Sequence, residues 1–469
     1  MRTSLAQPRR ALACFLLGLG LTAVLGCGRG EDDRSPSLAG GAAGWNVLLL
    51  SVDTLRADRL GAYGYAVRET SPAMDELLGR GVRVEVATAP RALTWPSMAT
   101  VLSGRYPSGH GVVQNGQSLP ADLPTLATVL AAAGYQTGAF LENMCRANHL
   151  GWDRLQCINQ SRRRIEPSVA NWLDELEPER PFFLWTHLFG PHSPYRKGRD
   201  LASRHLNPGY NGPVGPKKAL IERIMIEGIE LGPEDQAHLD AVYDAAVIGT
   251  DEVVARLLEI LGSRGLLEQT VVVFVADHGE ELYDHNRYIL HACSVYETGL
   301  HVPLGFVAPG LLPADGAIDG PVELLDIKPT LLELLGIEDP SPGPGRSLLP
   351  TLAGGPGDPQ RPVFSEYGDT AIHTVRQGPW KLIVNPEEHQ PLCFVGAPPD
   401  LFPIARYELY NLVDDPGETE NLAERFPDRV EQLSALLEAR FAELEQRRQT
   451  GEIPEDLRRQ LEALGYVTD

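Results

Sequence analysis

The sequence is short of positive charge, of cysteine and of long apolar runs. Only 41 Lys and Arg stand against 63 Asp and Glu in 469 residues, a formal net charge of −22. Non-specific nucleic-acid binding needs a basic face, so this balance argues against a nucleic-acid partner, though not against a local cationic pocket. The six Cys show no zinc-site spacing. One long uncharged apolar run is present, Ala11–Gly26, and it is too short for a comfortable membrane span. No internal repeat is visible. What is there is a globular composition, 43% hydrophobic and 22% charged, which rules out a wholly disordered, collagen-like or coiled-coil chain. Glycine (47) and proline (38) are plentiful, so many loops are expected.

Arg2, Arg9 and Arg10 precede the apolar run, a charged region followed by a hydrophobic one, as in a signal peptide. The run ends Val24-Leu25-Gly26-Cys27, which resembles a bacterial lipobox, although Leu25 is unusual at its place. The resemblance implies a lipoprotein signal peptide at 1–26, lipidation of Cys27, a flexible tether over 27–44 and a place in the bacterial cell envelope, anchored by lipid to a membrane. The alternative is an ordinary signal peptide with a chance Cys. An exported chain permits disulfides. Cys145 with Cys157 is the local pair, and Cys293 with Cys393 follows by elimination. Free buried thiols are the other reading.

Apolar runs bounded by turn signals alternate with helical patterns. Asn46–Val52, Tyr135–Phe140, Pro181–Leu188 and Thr270–Ala276 read as buried strands. Leu123–Ala133, Ala170–Leu176 and Glu234–Leu261 read as helices, the last as one or two. Strands apolar on both faces, separated by helices, predict an α/β fold with a mostly parallel sheet between helices over 45–350. Residues 351–469 read as a smaller α+β subdomain, with strands at Pro362–Tyr367, Thr374–Asn385 and Glu408–Asn411 and a helix at Asp428–Arg447. The stretch 196–232 has weak periodicity and reads as a surface insertion.

In such sheets ligands bind beyond the carboxyl ends of the strands. Asp53 follows the first strand, and Asp277-His278-Gly279-Glu280 follow the strand TVVVFVA. Each alone is modest, since Asp commonly caps or turns a chain. Thr94-Trp95-Pro96-Ser97 places a hydroxyl at a helix start, where backbone N–H groups favour anions; a mere N-cap is the bland reading. His187 lies at the end of the PFFLWTHL run and His192 just after it, and His285 and His291 follow the Asp-His pair. A lone His is more often structural, but several placed after strand ends beside two carboxylates are a candidate site.

Nine segments together carry a resemblance. DTLRADRLGAYGY, TWPSMATVLSGRYPSGHGV, PFFLWTHLFGPHSPY, VADHGEELYDH, HVPLGFVAPG, DIKPTLLELLGI, GPWKLI, ELYNLVDDPGETENLA and ALGYV resemble, in order, the motifs of the sulfatase family, within the alkaline phosphatase superfamily. The resemblance implies an alkaline-phosphatase-like sheet with a small C-terminal subdomain. It also implies a divalent cation on Asp53, Asp277, His278 and Thr94, with Ca²⁺ expected from the family and Mn²⁺, Mg²⁺ or Zn²⁺ as alternatives. Thr94 stands at the nucleophile position. Asn115 and His192 would contact the substrate's anionic or leaving group, His291 would lie near the transferred group, and His285 is a weaker substrate contact. Arg105 and His110 match structural residues.

The departure lies at the nucleophile. Sulfatases of the usual kind show C-x-P-S-R, whose Cys is oxidised to formylglycine, and this chain reads Thr94-Trp95-Pro96-Ser97-Met98. Thr cannot become formylglycine: its Cβ carries a methyl group, so oxidation would give a ketone. Thr54 also stands where many sulfatases have a second carboxylate. The sequence therefore reads as an exported, metal-dependent hydrolase of sulfate or phosphate esters with Thr94 as nucleophile. Its substrate would be a small molecule or a glycan- or lipid-linked ester. The alternative is a catalytically inactive, sulfatase-like binding lipoprotein.

Overall fold

The computed structural model describes residues 38–143, 150–158, 164–195, 206–215, 220–285, 287–367, 372–388, 398 and 401–449. The signal peptide, Cys27, Cys145, Cys393 and the ALGYV segment lie outside them. Ser37–Asp469 form one compact unit. Its centre is an eight-stranded sheet of β1 (Asn46–Val52), β2 (Val82–Thr88), β3 (Gln136–Leu141), β4 (Arg154–Cys157), β5 (Phe182–Leu188), β6 (Thr270–Ala276), β9 (His301–Val307) and β10 (Gly316–Glu323). A short ribbon pairs β7 (Glu281–Leu282) with β8 (Ile289–Leu290). The order in the large sheet is β10-β2-β9-β6-β1-β5-β3-β4. Every pairing is parallel except those that β9 makes with β2 and β6.

The three central strands are buried almost throughout. This is why they read as unbroken apolar runs: each has helices over both faces and no solvent side. Burying one large apolar side chain such as Phe274 or Leu49 contributes about 2 kcal/mol, so the centre is the most strongly specified part of the sheet. The helices fall into two packed groups. Pro72–Gly79, Ile165–Glu175 and the single long helix Pro233–Gly262 form one, and Thr94–Ser103, Leu126–Ala132 and Ile327–Leu335 form the other.

The C-terminal subdomain is an antiparallel sheet of β11 (Val363–Glu366), β12 (His373–Gln377), β13 (Trp380–Val384) and β14 (Tyr407–Asn411). The helix Pro427–Gln449 packs Leu433 and Leu437 on its Val375, Leu382 and Leu409. The segment expected as one strand, Thr374–Asn385, is the hairpin β12–β13, turned at Gly378 with φ +57°. Four strands of the large sheet were not foreseen, nor was the β7–β8 ribbon. In β2 the half-exposed Arg83 and Glu85 interrupt the apolar pattern. In β9 Pro303 and Gly305 look like breakers, yet a Cβ on Gly305 would lie 2.3 Å from Leu78 Cδ2. In β10 the register shifts between Ile318 and Pro321, and β4 is a short edge strand with half its residues exposed. Part of the expected surface insertion is core: Ile224 and Met225, in the π-helical turn Leu220–Ile226, are fully buried. Cys157 and Cys293 are each disulfide-bonded.

Buried polar contacts join the subdomain to the main sheet. Ser365 Oγ donates to the Ala89 carbonyl at 2.7 Å, and Glu366 N donates to Pro90 O at 2.8 Å. Lys381 Nζ lies 3.0 Å from Glu297 and 2.8 Å from Glu418. His285 belongs to this seam: its Nδ1 meets Glu281 at 3.0 Å, its Nε2 meets Gly417 O at 3.1 Å, and its ring stacks on Tyr296 at 3.8 Å. With both nitrogens engaged by the protein, the expected substrate contact is corrected to a structural one.

Burial alone would lower the His285 pKa, but Glu281 outweighs it and the imidazole is raised to about 9. A folded-state pKa above the unfolded value contributes stability that is complete below about 6.5 and lost as pH rises through about 9. His285→Gln is therefore expected to destabilise the protein by about 2 kcal/mol at pH 6, with the difference from wild type shrinking as pH rises from about 6.5 and gone above about 9. Denaturant melts of both proteins across pH 6–10 check this.

Candidate active site

The site is assembled by strand register. β6, β1 and β5 are adjacent and parallel, with Ser51 opposite His187 and Val52 opposite both Leu188 and Ala276. Asp53 and Asp277 are the first residues past β1 and β6, so their carboxylates emerge at the same level. His187 projects from the last turn of β5. Ligand atoms of Asp53, His187 and Asp277 all lie within 4.8 Å of one another, and all three residues are fully buried. The sequence had singled out His187 but not placed it among the ligands. Its signal was a lone imidazole inside an otherwise apolar strand that ends at the site.

His278 completes the cluster. Its Nδ1 donates to Gly279 O at 2.8 Å, which leaves Nε2 without a proton. Nε2 faces Asp53 Oδ1 at 3.7 Å, Asp277 Oδ2 at 3.5 Å and Thr94 Oγ1 at 3.3 Å. Gly279 is required behind it, because a Cβ there would lie 1.9 Å from the Thr298 carbonyl. Thr94 opens the helix Thr94–Ser103 and is 3% exposed. That helix is fastened to the end of β6 by Ser97 Oγ, which donates to Asp277 O at 2.6 Å. Met98 is fully buried, so its position supplies packing rather than charge.

The electrostatics call for a cation. Burial would raise the Asp53 pKa, but the His192, His187 and His278 imidazoles outweigh it and hold the carboxyl well below its usual range. Asp277 is pushed well up, by burial and then by the Asp53 charge. Asp53 Oδ1, Asp277 Oδ2 and His187 Nε2 are buried with no hydrogen-bond partner. Lone pairs converging in a dry space repel one another unless a positive charge sits among them. A divalent cation fits this donor set of two carboxylates, two imidazoles and the Thr94 hydroxyl.

Around it stand the remaining expected residues. Burial lowers the His192 pKa; its Nδ1 donates to Ser193 O, and its ring stacks on Phe189 at 4.2 Å. The His291 ring lies 4.8 Å from that of His192 and 4.7 Å from that of His278. His291 Nδ1 is 2.7 Å from Glu280, a fully buried carboxyl pushed up to about 7 chiefly by burial, which also accepts from the Tyr195 hydroxyl at 3.0 Å. Asn115 is exposed, and its Oδ1 accepts from Trp95 N at 2.8 Å, so it caps the helix beside Thr94. His110, read as structural, is buried against Thr100 Oγ1 at 3.0 Å, and Arg105 Nη2 donates to Ser341 Oγ at 2.9 Å.

Two participants were missed. Asn143, just past β3, donates from Nδ2 to Asp53 Oδ2 at 2.5 Å. Only its place after a strand end could have flagged it. Thr54 sits at φ +57°, a rare conformation for a β-branched residue. Its N–H donates to Asp277 Oδ1 at 3.1 Å, so the turn orients the second carboxylate.

Comparison with known proteins agrees with this architecture. The sulfatase family model matches residues 45–337, and the C-terminal model of N-sulphoglucosamine sulphohydrolase matches 286–447. A Δ4,5-hexuronate-2-O-sulfatase of Bacteroides thetaiotaomicron is 26% identical, over 81% of this chain and 84% of that protein. Choline-sulfatase of Rhizobium meliloti is 25% identical, over 85% and 86%. Among solved structures, the phosphonate monoester hydrolase of Agrobacterium radiobacter superposes with a TM-score of 0.67 at 21% identity, covering 85% of this chain and 96% of the other. The extent of these matches and the shared sheet lead to one conclusion: the chain belongs to the sulfatase family of ester hydrolases, within the alkaline phosphatase superfamily.

Proposed function

We propose that this hydrolase cleaves a sulfate or phosphate ester with Thr94 as nucleophile. The observation that carries the reading is the position of Thr94 Oγ1: at a helix start, 3.3 Å from His278 Nε2, on the rim of the convergent carboxylates. Asp53, Asp277, His187 and His278 would hold the cation. When bound, it supplies positive charge that lowers the pKa of the Thr94 hydroxyl and screens the ester's negative oxygens.

The chain's own groups do the rest. Thr94 gives its hydroxyl proton to solvent, Oγ1 attacks the sulfur or phosphorus, and the bond to the leaving oxygen breaks. That oxygen takes its proton from the imidazole of His291, which Glu280 orients through Nδ1. His192, on the same side, binds the ester's anionic oxygens. Water then cleaves the Thr94 ester, releasing sulfate or phosphate and restoring the hydroxyl. No formylglycine is involved. The relatives include a choline-sulfatase and a hexuronate sulfatase, and the fold is shared with a phosphonate monoester hydrolase. That range supports a small-molecule or glycan-linked ester as substrate. The acidic surface disfavours a heavily sulfated polymer.

We also propose, from the lipobox alone, that the protein is exported and anchored by lipid at Cys27. Cys27→Ser is expected to shift the protein from the membrane to the soluble fraction, read by fractionation of expressing cells.

The catalytic reading is tested with nitrophenyl sulfate, phosphate, phosphodiester and phosphonate esters, using the soluble form from Gly28 onward supplied with Ca²⁺, Mn²⁺ or Zn²⁺. Turnover of at least one ester is expected, lowered at least 10³-fold in Thr94→Ala and in Asp277→Asn. No turnover of any ester by folded protein would move the assignment to a binding role. His291→Ala is expected to lower kcat about 10²-fold or more on alkyl esters and far less on nitrophenyl esters, whose leaving oxygen needs no proton. Glu280→Gln should show the same dependence on leaving group, with KM unchanged.

A further inference from the structure

From the orientation of His187 we infer that the resident ion is a nitrogen-preferring transition metal, Zn²⁺ foremost, and that His187 selects it over Ca²⁺. Ser51 Oγ donates to Thr186 O at 3.2 Å and accepts from Trp185 Nε1 at 2.9 Å. Ser51 Oγ also lies 2.8 Å from His187 Nδ1. In the tautomer with the proton on Nδ1, Ser51 Oγ accepts it, and the bare Nε2 points at the carboxylates, 3.8 Å from Asp53 Oδ2 and without a hydrogen-bond partner. His278 repeats the device with Gly279 O in place of Ser51. Two imidazoles, each with an outer partner at Nδ1, turn Nε2 toward the same pair of buried carboxylates.

A metal-ligating His almost always carries such an outer partner, which fixes both ring orientation and tautomer. Ca²⁺ takes six to eight oxygen ligands. Here two of five donors are nitrogen, and the residue after Asp53 brings no carboxylate: Thr54, at φ +57°, gives its N–H to Asp277. Imidazole with carboxylate suits Zn²⁺ and its first-row neighbours, among which intrinsic affinity rises toward the right of the series. The inference rests on the cation site of the proposed function but not on Thr94 acting as nucleophile.

The experiment measures binding, not turnover. The soluble protein is stripped with a chelator and titrated calorimetrically with Zn²⁺, Mn²⁺ and Ca²⁺; Co²⁺ is then added as a spectroscopic probe. Wild type is expected to bind Zn²⁺ at least 100-fold more tightly than Ca²⁺, and Co²⁺ to give the visible absorption of a nitrogen-ligated, low-coordinate ion. His187→Asn is expected to weaken Zn²⁺ binding 10- to 100-fold while changing Ca²⁺ binding less than threefold, with the thermal melt of the stripped variant confirming its fold. Equal or tighter binding of Ca²⁺ by wild type overturns the inference whatever the variant does. So does a folded His187→Asn that binds Zn²⁺ as wild type does. A protein that binds Zn²⁺ selectively yet hydrolyses no ester leaves this inference standing and removes the catalytic one.

Discussion

Asp53 and Asp277 are both fully buried, and the two cannot be ionised together without a positive charge between them. Much of the surrounding structure answers that constraint. Adjacent parallel strands bring the carboxylates to one level, and a strained residue at position 54 turns one of them inward. Two imidazoles are held with their lone pairs toward the same point, and the helix that presents Thr94 is tied to the backbone of Asp277. A fold that removes charges from water must return their compensation from within. Here the compensation is arranged for an ion rather than for a basic side chain.

Much of this was legible in the sequence. β1 and β6 end where their apolar runs end, because strands covered on both faces leave no polar residue until the chain emerges. The polar residues just past them, Asp53 and Asp277-His278, were readable for the same reason. His187 stayed outside the expected ligand set because it sits within the strand, where a polar residue normally signals local satisfaction. Only register against Ser51 reveals its direction. Asn143 and the seam role of His285 depend on contacts more than eighty residues distant in sequence, which no local pattern encodes. β2, β9 and β10 escaped notice because charged residues, proline and glycine interrupt the unbroken apolar runs by which the central strands were recognised.

The family resemblance and the site agree where the scaffold is concerned and part company where the chemistry starts. The carboxylates, the Asp-His pair and the helix start remain, while the usual Cys and Arg of the nucleophile motif are Thr94 and Met98. Met98 is fully buried in the core, so that position carries packing in place of a charge. The chain is a sulfatase in architecture that carries a simple alcohol, Thr94, where the resemblance places the nucleophile.

Thr94 is the first residue of its helix, where a backbone N–H has no partner within the helix, and its hydroxyl contacts only the imidazole of His278 among the hydrogen bonds described. The helix is held by Ser97 and by Asn115, not by residue 94. The proposed nucleophile is thus decoupled from the scaffold that aims it. A protein built this way can exchange its nucleophile by a single substitution without refolding its site, so one framework is open in evolution to several ester chemistries.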